Sequence, residues 1–155
     1  MIPNQHLKVL RKIVKCLKDS PIHWVVTGSL GMALQGMPLE VHDIDIQTNK
    51  DGAYEIERVL MEHIVKPVRY RESERIHSHL GMLDLDGIQV EIMGDIQKRL
   101  DFQTCEEPVN VETYRQRLEI GGMQVPVLSL DYEYQAYLKL GRTEKAEMLR
   151  AWLHK

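Results

Sequence analysis

The segment Val41-His42-Asp43-Ile44-Asp45-Ile46 constrains this chain more than any other. Apolar and acidic residues alternate in it, and in a strand successive side chains point to opposite faces. Asp43 and Asp45 then share one face while Ile44 and Ile46 share the other. A strand of this kind needs a core on its isoleucine side and a cation or water on its aspartate side. Two carboxylates held next to each other on a rigid strand are a natural seat for Mg²⁺, which takes oxygen ligands and phosphate partners. Upstream, His23-Trp24-Val25-Val26-Thr27 reads as a short buried strand that runs into Gly28-Ser29. Glycine allows close backbone approach to a ligand. N–H groups at a helix start can receive an anion, and the Ser29 hydroxyl can add a donor to a phosphate oxygen.

The remaining chain supplies elements to pack around these two strands. At 155 residues, 43% apolar and 28% charged, it has the make-up of one globular domain with a real core. Leu7, Leu10, Ile13, Val14 and Leu17 fall at helical spacing, so residues 5–19 read as an amphipathic helix, with Cys16 as a small buried thiol on its apolar side. A short helix is expected over residues 30–35 and a strand over 43–47. Ala53, Ile56, Val59, Leu60 and Ile64 mark a second amphipathic helix. Residues 68–93 read as β structure, with Asp86-Gly87 as a hairpin turn. Gly121-Gly122 makes a second hairpin, and from Ser129 onward the pattern is helical in two pieces broken at Gly141.

Glu91 follows the first hairpin on the face opposite Ile88, Val90 and Ile92. If its strand neighbours that of Asp43 and Asp45, a triad of carboxylates results, suited to a two-metal displacement at phosphorus. Glu91 could also take a proton from an attacking hydroxyl. Asp84 and Asp86 are likewise two apart, but Asp86 is accounted for by the turn it helps to make. His77 and His79 could share a strand face near the cleft, without a third ligand of zinc-like spacing. Arg69, Arg71 and Arg75 with Tyr70 form a basic cluster, interleaved with Glu72 and Glu74 as on a salt-bridged exposed strand. Tyr132, Tyr134 and Tyr137 could wall a pocket or pack the last helices onto the sheet.

Taken together, Val25-Val26-Thr27-Gly28-Ser29, Asp43-Ile44-Asp45-Ile46 and Val90-Glu91-Ile92 resemble the nucleotidyltransferase superfamily typified by DNA polymerase β. The resemblance covers about residues 23–93 and implies an α/β (α+β) fold, a mixed twisted sheet with helices mainly on one side and a helical C-terminus over about 129–154. It implies one nucleotidyltransferase domain over 1–155. By the same resemblance, Gly28 and Ser29 hold the phosphates of a nucleoside triphosphate. Asp43, Asp45 and Glu91 are the catalytic and metal-ligating carboxylates of a two-metal Mg²⁺ site. The reaction implied is transfer of a nucleoside monophosphate to a hydroxyl acceptor, most simply a small molecule, with release of pyrophosphate.

The tail resembles small bacterial members such as aminoglycoside and lincosamide nucleotidyltransferases and toxin-type relatives. On that analogy Lys139 reaches a triphosphate oxygen, while Arg142 and Lys145 stay without a role. His42 departs from the usual pattern, and an alternating strand would put it on the face opposite Asp43. The chain has no room for a large acceptor domain, which admits a homodimer that completes the acceptor pocket.

Two other readings stay open: a non-catalytic nucleotide-binding or interaction protein with the same fold, and a toxin-like enzyme that modifies tRNA or a protein hydroxyl. The net charge of −3 does not favour a nucleic-acid partner. No apolar run approaches the ~20 residues that span a bilayer. Without a signal-peptide pattern, and with two cysteines at no metal spacing, the expected location is a reducing cytoplasm.

Overall fold

The computed structural model describes residues 2–101 and 103–155. In chain order the elements are α1 (Asn4–Leu17), β1 (Trp24–Thr27), α2 (Gly28–Leu34), β2 (Ile44–Thr48), α3 (Lys50–Val59), β3 (Ile64–Glu72), β4 (Ile76–Leu85) and β5 (Ile88–Lys98). They continue with β6 (Arg115–Ile120), β7 (Met123–Leu128), α4 (Leu130–Lys139) and α5 (Thr143–Leu153). The seven strands form one mixed sheet in the order β3-β4-β5-β2-β1-β7-β6. The pairs β2/β5 and β1/β7 run parallel and the others antiparallel. This is the mixed α/β architecture that the sequence pattern implies.

The core lies between one sheet face and helices α1 and α3. Val9, Leu10 and Ile13 of α1 and Ala53 and Ile56 of α3 are buried completely against Val26, Ile44, Ile46, Val90 and Ile92. Each such aliphatic side chain contributes about 2 kcal/mol of transfer free energy. Alternation along β2 and β5 therefore fixes which face must turn the other way. That second face carries a smaller cluster of Val25, Ile96, Val109, Val111 and Leu128. Beside it α4 and α5 pack on α2 through Met32, Met37, Leu130 and Leu149.

Several expectations shift. Cys16 is exposed, because the buried stripe of α1 runs through Val9, Leu10, Ile13 and Leu17 and Cys16 falls just beyond its edge. The helix expected to include Ile64 stops at Val59. A short 3₁₀ turn over Met61–His63 follows, and Ile64 opens β3. Ile64 and Val65 are β-branched and Lys66 precedes a proline, and both features favour extended backbone. Both hairpin turns form where expected, with Asp86, Gly87, Gly121 and Gly122 all at positive φ. The Asp84/Asp86 pair is consumed by its turn: Asp84 accepts the Gly87 N–H at 2.9 Å, and Asp86 pairs with Lys12. No helix among the described residues is long and apolar enough to cross a membrane.

Candidate active site

Three strands bring the acidic groups together. Thr27 of β1 lies beside Asp45 of β2, and Asp45 lies beside Glu91 of β5. These residues form one row across the sheet, with their side chains on the face away from α1 and α3. Asp43 sits just before β2 begins, and its Oδ2 accepts from Gln89 Nε2 at 3.1 Å. Gln89 is two residues before Glu91, so one strand of β5 supports both aspartates. The resulting cleft, about 370 Å³, has Gly28, Ser29, Asp43, Asp45 and Glu91 on one side and α4 and α5 over it.

Gly28 makes this arrangement possible. Its φ is +68°, and a Cβ there would lie 2.3 Å from Asp45 Oδ2. No side chain fits between that turn and the aspartate. Ser29 Oγ accepts the His42 N–H at 3.0 Å, which ties the turn after β1 to the segment leading into Asp43. His42 lines the cleft and is exposed. Regular strand backbone begins only at Ile44, so strand alternation does not extend back to position 42.

Crowded negative charge dominates the electrostatics. Burial pushes the Asp45 carboxyl up to about 7, helped by Glu91 and then Asp43, while Lys145 opposes the shift. Burial, followed by Asp43, also raises Glu91, against a smaller pull from Lys66. Desolvation and like charges disfavour ionisation, and a cation among the three groups would relieve both. Among the described residues, no group of three or more His, Cys, Asp or Glu side chains is already drawn together for a metal ion. The donor set is all oxygen and its charge only partly offset by Lys145 and Lys66, which suits Mg²⁺.

Glu133 is a site residue that the sequence pattern did not bring forward. It lies on α4, 3% exposed, and its Oε1 accepts the Thr27 hydroxyl at 2.6 Å and the Gly28 N–H at 3.2 Å. Its own burial pushes it up to about 7, with the Thr27 and Gly28 hydrogen bonds opposing. The available signal was an acid one turn after Leu130 and one turn before Tyr137, on the inward side of an otherwise amphipathic helix.

Lys139 is not brought to the cleft. It donates to Glu106 Oε2 at 3.1 Å on the exposed side of α4. Arg142 and Lys145 line the cleft instead, and Lys145 Nζ stands 5.4 Å from the centroid of the Tyr137 ring. Tyr132 and Tyr137 also line it, whereas Tyr134 packs with the α2–α5 cluster. Lys98, nearly fully buried, donates to Glu106 at 3.0 Å and to the Tyr132 hydroxyl at 2.9 Å. His77 and His79 do not line the cleft. His77 meets Cys105 Sγ at 3.3 Å and His79 meets the Tyr54 hydroxyl at 3.1 Å, while Ile76 takes the cleft side of β4. Arg75 of the basic cluster caps the Leu140 carbonyl at the end of α4.

An acidic row on a mixed sheet, beside a Gly-Ser turn and under two helices, is the candidate site, and the chain that carries it is a nucleotidyltransferase, an enzyme that transfers a nucleotide to a hydroxyl. The chain belongs to the aminoglycoside-2''-adenylyltransferase family, whose pattern matches residues 9–151. It is similar, at 60% identity over 99% of this chain and 96% of the other, to a provisionally assigned nucleotidyltransferase from Thermotoga maritima, with a TM-score of 0.89. Two antibiotic-modifying enzymes share the fold at 12% identity. ANT(2'')-Ia, solved with adenylyl-2''-tobramycin, matches over 96% of this chain and 90% of its own, with a TM-score of 0.59. The lincosamide adenylyltransferase LnuA, solved with lincomycin, matches over 96% and 97%, with a TM-score of 0.60. No curated protein matches the chain.

Proposed function

We propose that this enzyme is Mg²⁺-dependent and transfers a nucleoside monophosphate from a nucleoside triphosphate to the hydroxyl of a small molecule, releasing pyrophosphate. The observation that carries this reading is the row of Thr27, Asp45 and Glu91 across three strands, with Asp43 beside it and all four on one cleft. Asp43, Asp45 and Glu91 would hold the metal ions. When bound, these ions neutralise charge on the phosphates and on the attacking and leaving oxygens.

The chain's own groups do the rest. Gly28 and Ser29 receive the phosphates in the turn after β1. Lys145 of α5 and Arg142, just before it, bring positive charge to the leaving end. Lys139, held by Glu106, is not assigned this task. Glu91, the acid farthest from the turn, orients the acceptor hydroxyl and takes its proton, a role suited to a carboxyl raised by burial. Alignment and charge neutralisation supply most of the rate in such transfers.

A small acceptor is favoured by a cleft of about 370 Å³ whose lining includes the apolar Ile76, Met93, Ile96 and Leu128. The location is read as cytoplasmic and the assembly as open to a homodimer that adds to the acceptor pocket. The decisive experiment measures pyrophosphate release with a panel of triphosphates and hydroxyl acceptors, in the wild type, Asp43→Ala and Asp45→Ala. Each substitution should lower turnover by at least about a hundredfold. Full activity in either variant would refute the assignment.

A further inference from the structure

Glu133 is a buried acid that the transfer reaction as described leaves unused. Its Oε1 takes the Thr27 hydroxyl and the Gly28 N–H, while its Oε2 is buried with no hydrogen-bond partner among the described residues. Buried polar atoms are nearly always paired, so half of this carboxyl is left wanting. A group kept only to brace the turn would need no charge, since a neutral amide oxygen accepts the same two bonds. The charged and titratable groups facing it are Asp45 from β2, which opposes its ionisation, and Lys145 from α5, which favours it. Tyr137, one turn along α4, is itself raised by burial and then by Glu133, with Arg142 opposing.

We propose that Glu133 is an internal stand-in for a phosphate: in the free enzyme its carboxylate holds the Gly28 N–H, and an incoming triphosphate takes that N–H from it. This inference rests on the function proposed above, in which Gly28 and Ser29 receive the phosphates. Two anions at one donor repel each other, so phosphate and Glu133 carboxylate compete for it. The unpartnered Oε2 makes the free-enzyme arrangement imperfect and hence displaceable. Its raised pKa, about 7, lets the carboxyl leave as a neutral acid near neutral pH. Glu133 thereby sets the triphosphate affinity, favouring anions that arrive with compensating cations over bare phosphate.

The test is calorimetric titration at pH 8 with Mg²⁺ of wild type and Glu133→Gln, using inorganic tripolyphosphate and the α,β-methylene analogues of ATP, GTP and CTP. The Gln variant keeps an oxygen for Thr27 and Gly28 but carries no charge. It should bind about tenfold more tightly each probe that the wild type binds. A bracing role alone predicts equal affinities. Equal or weaker binding by a folded Gln variant overturns the inference and leaves the proposed function standing. If neither protein binds any of the four probes, both fail. Should the variant not fold, carboxyl ¹³C and amide NMR of the wild type decide. Tripolyphosphate must then shift both the Glu133 carboxyl and Gly28 amide resonances, and an unmoved Glu133 signal overturns the inference.

Discussion

Asp45 Oδ2 occupies the space that a Cβ on residue 28 would need, at 2.3 Å from its ideal position. Strand β1 can end so near the acid of β2 only because the turn residue has no side chain. The same residue sits at φ +68°, where an L side chain is strained.

Gly28→Ala should therefore hurt twice. Thermal or urea unfolding should show a loss of about 1–3 kcal/mol from backbone strain and displacement of Asp45. Turnover should fall by more than the stability loss explains, at least about a hundredfold in a preparation verified as folded, because Asp45 can no longer hold its place. A folded variant of near wild-type turnover would show that Asp45 has freedom to move aside.

Asp45 has its carboxyl raised from 3.8 to about 7. An acid raised on folding binds more protons in the native than in the unfolded state between those values. Its ionisation therefore costs stability as pH rises from about 4 to about 7, and the cost is constant above. Asp45→Asn should stabilise the protein at pH 8 by about 4 kcal/mol at most, and this gain should shrink toward zero below pH 4. Urea unfolding across that range measures it. A variant destabilised at pH 8 would contradict the crowding of charge described above.

Mg²⁺ should act in the opposite direction on the same group. At pH 8, millimolar Mg²⁺ should raise the melting temperature of the wild type by mass action on the native state, and chelation should reverse the rise. Asp43→Asn and Asp45→Asn should lose the response. A shift of equal size in both variants would place the ion elsewhere on the surface.

Lys145 and Lys139 should behave differently, although both are C-terminal helix lysines. Lys145→Ala should weaken triphosphate use, measured as kcat/KM, by about ten- to a hundredfold. Lys139→Ala should change it less than about threefold, since its partner is Glu106. The reverse order would restore the assignment made from sequence.

Legibility in the sequence followed the range of the interactions. The strand of Asp45, the hairpin turns at Asp86-Gly87 and Gly121-Gly122, and the outward face of Glu91 were all readable, because alternation and positive φ are local requirements, although that strand begins at Ile44, one residue after Asp43. Alternation does not reach His42, because regular strand backbone begins only at Ile44. Cys16 was misplaced because a stripe edge on a helix is decided by what packs against it. Lys139 was preferred to Lys145 by analogy alone, and spacing along the chain cannot tell which lysine of two joined helices points at a cleft.

The sequence by itself determined that Asp45 and Glu91 would each lie on one face of its own strand, with Asp43 at the entry to the first and a Gly-Ser turn upstream. Their meeting was decided only by the tertiary structure. The parallel pairing of β2 with β5 sets Asp45 next to Glu91, and a one-residue slip would have turned one acid into the core. The docking of α4 and α5 brought Glu133 to Gly28 and Lys145 to the cleft. The physical reason is burial. Local pattern fixes which side of an element must leave water, but only the packing of distant elements fixes which charged groups share the space that remains.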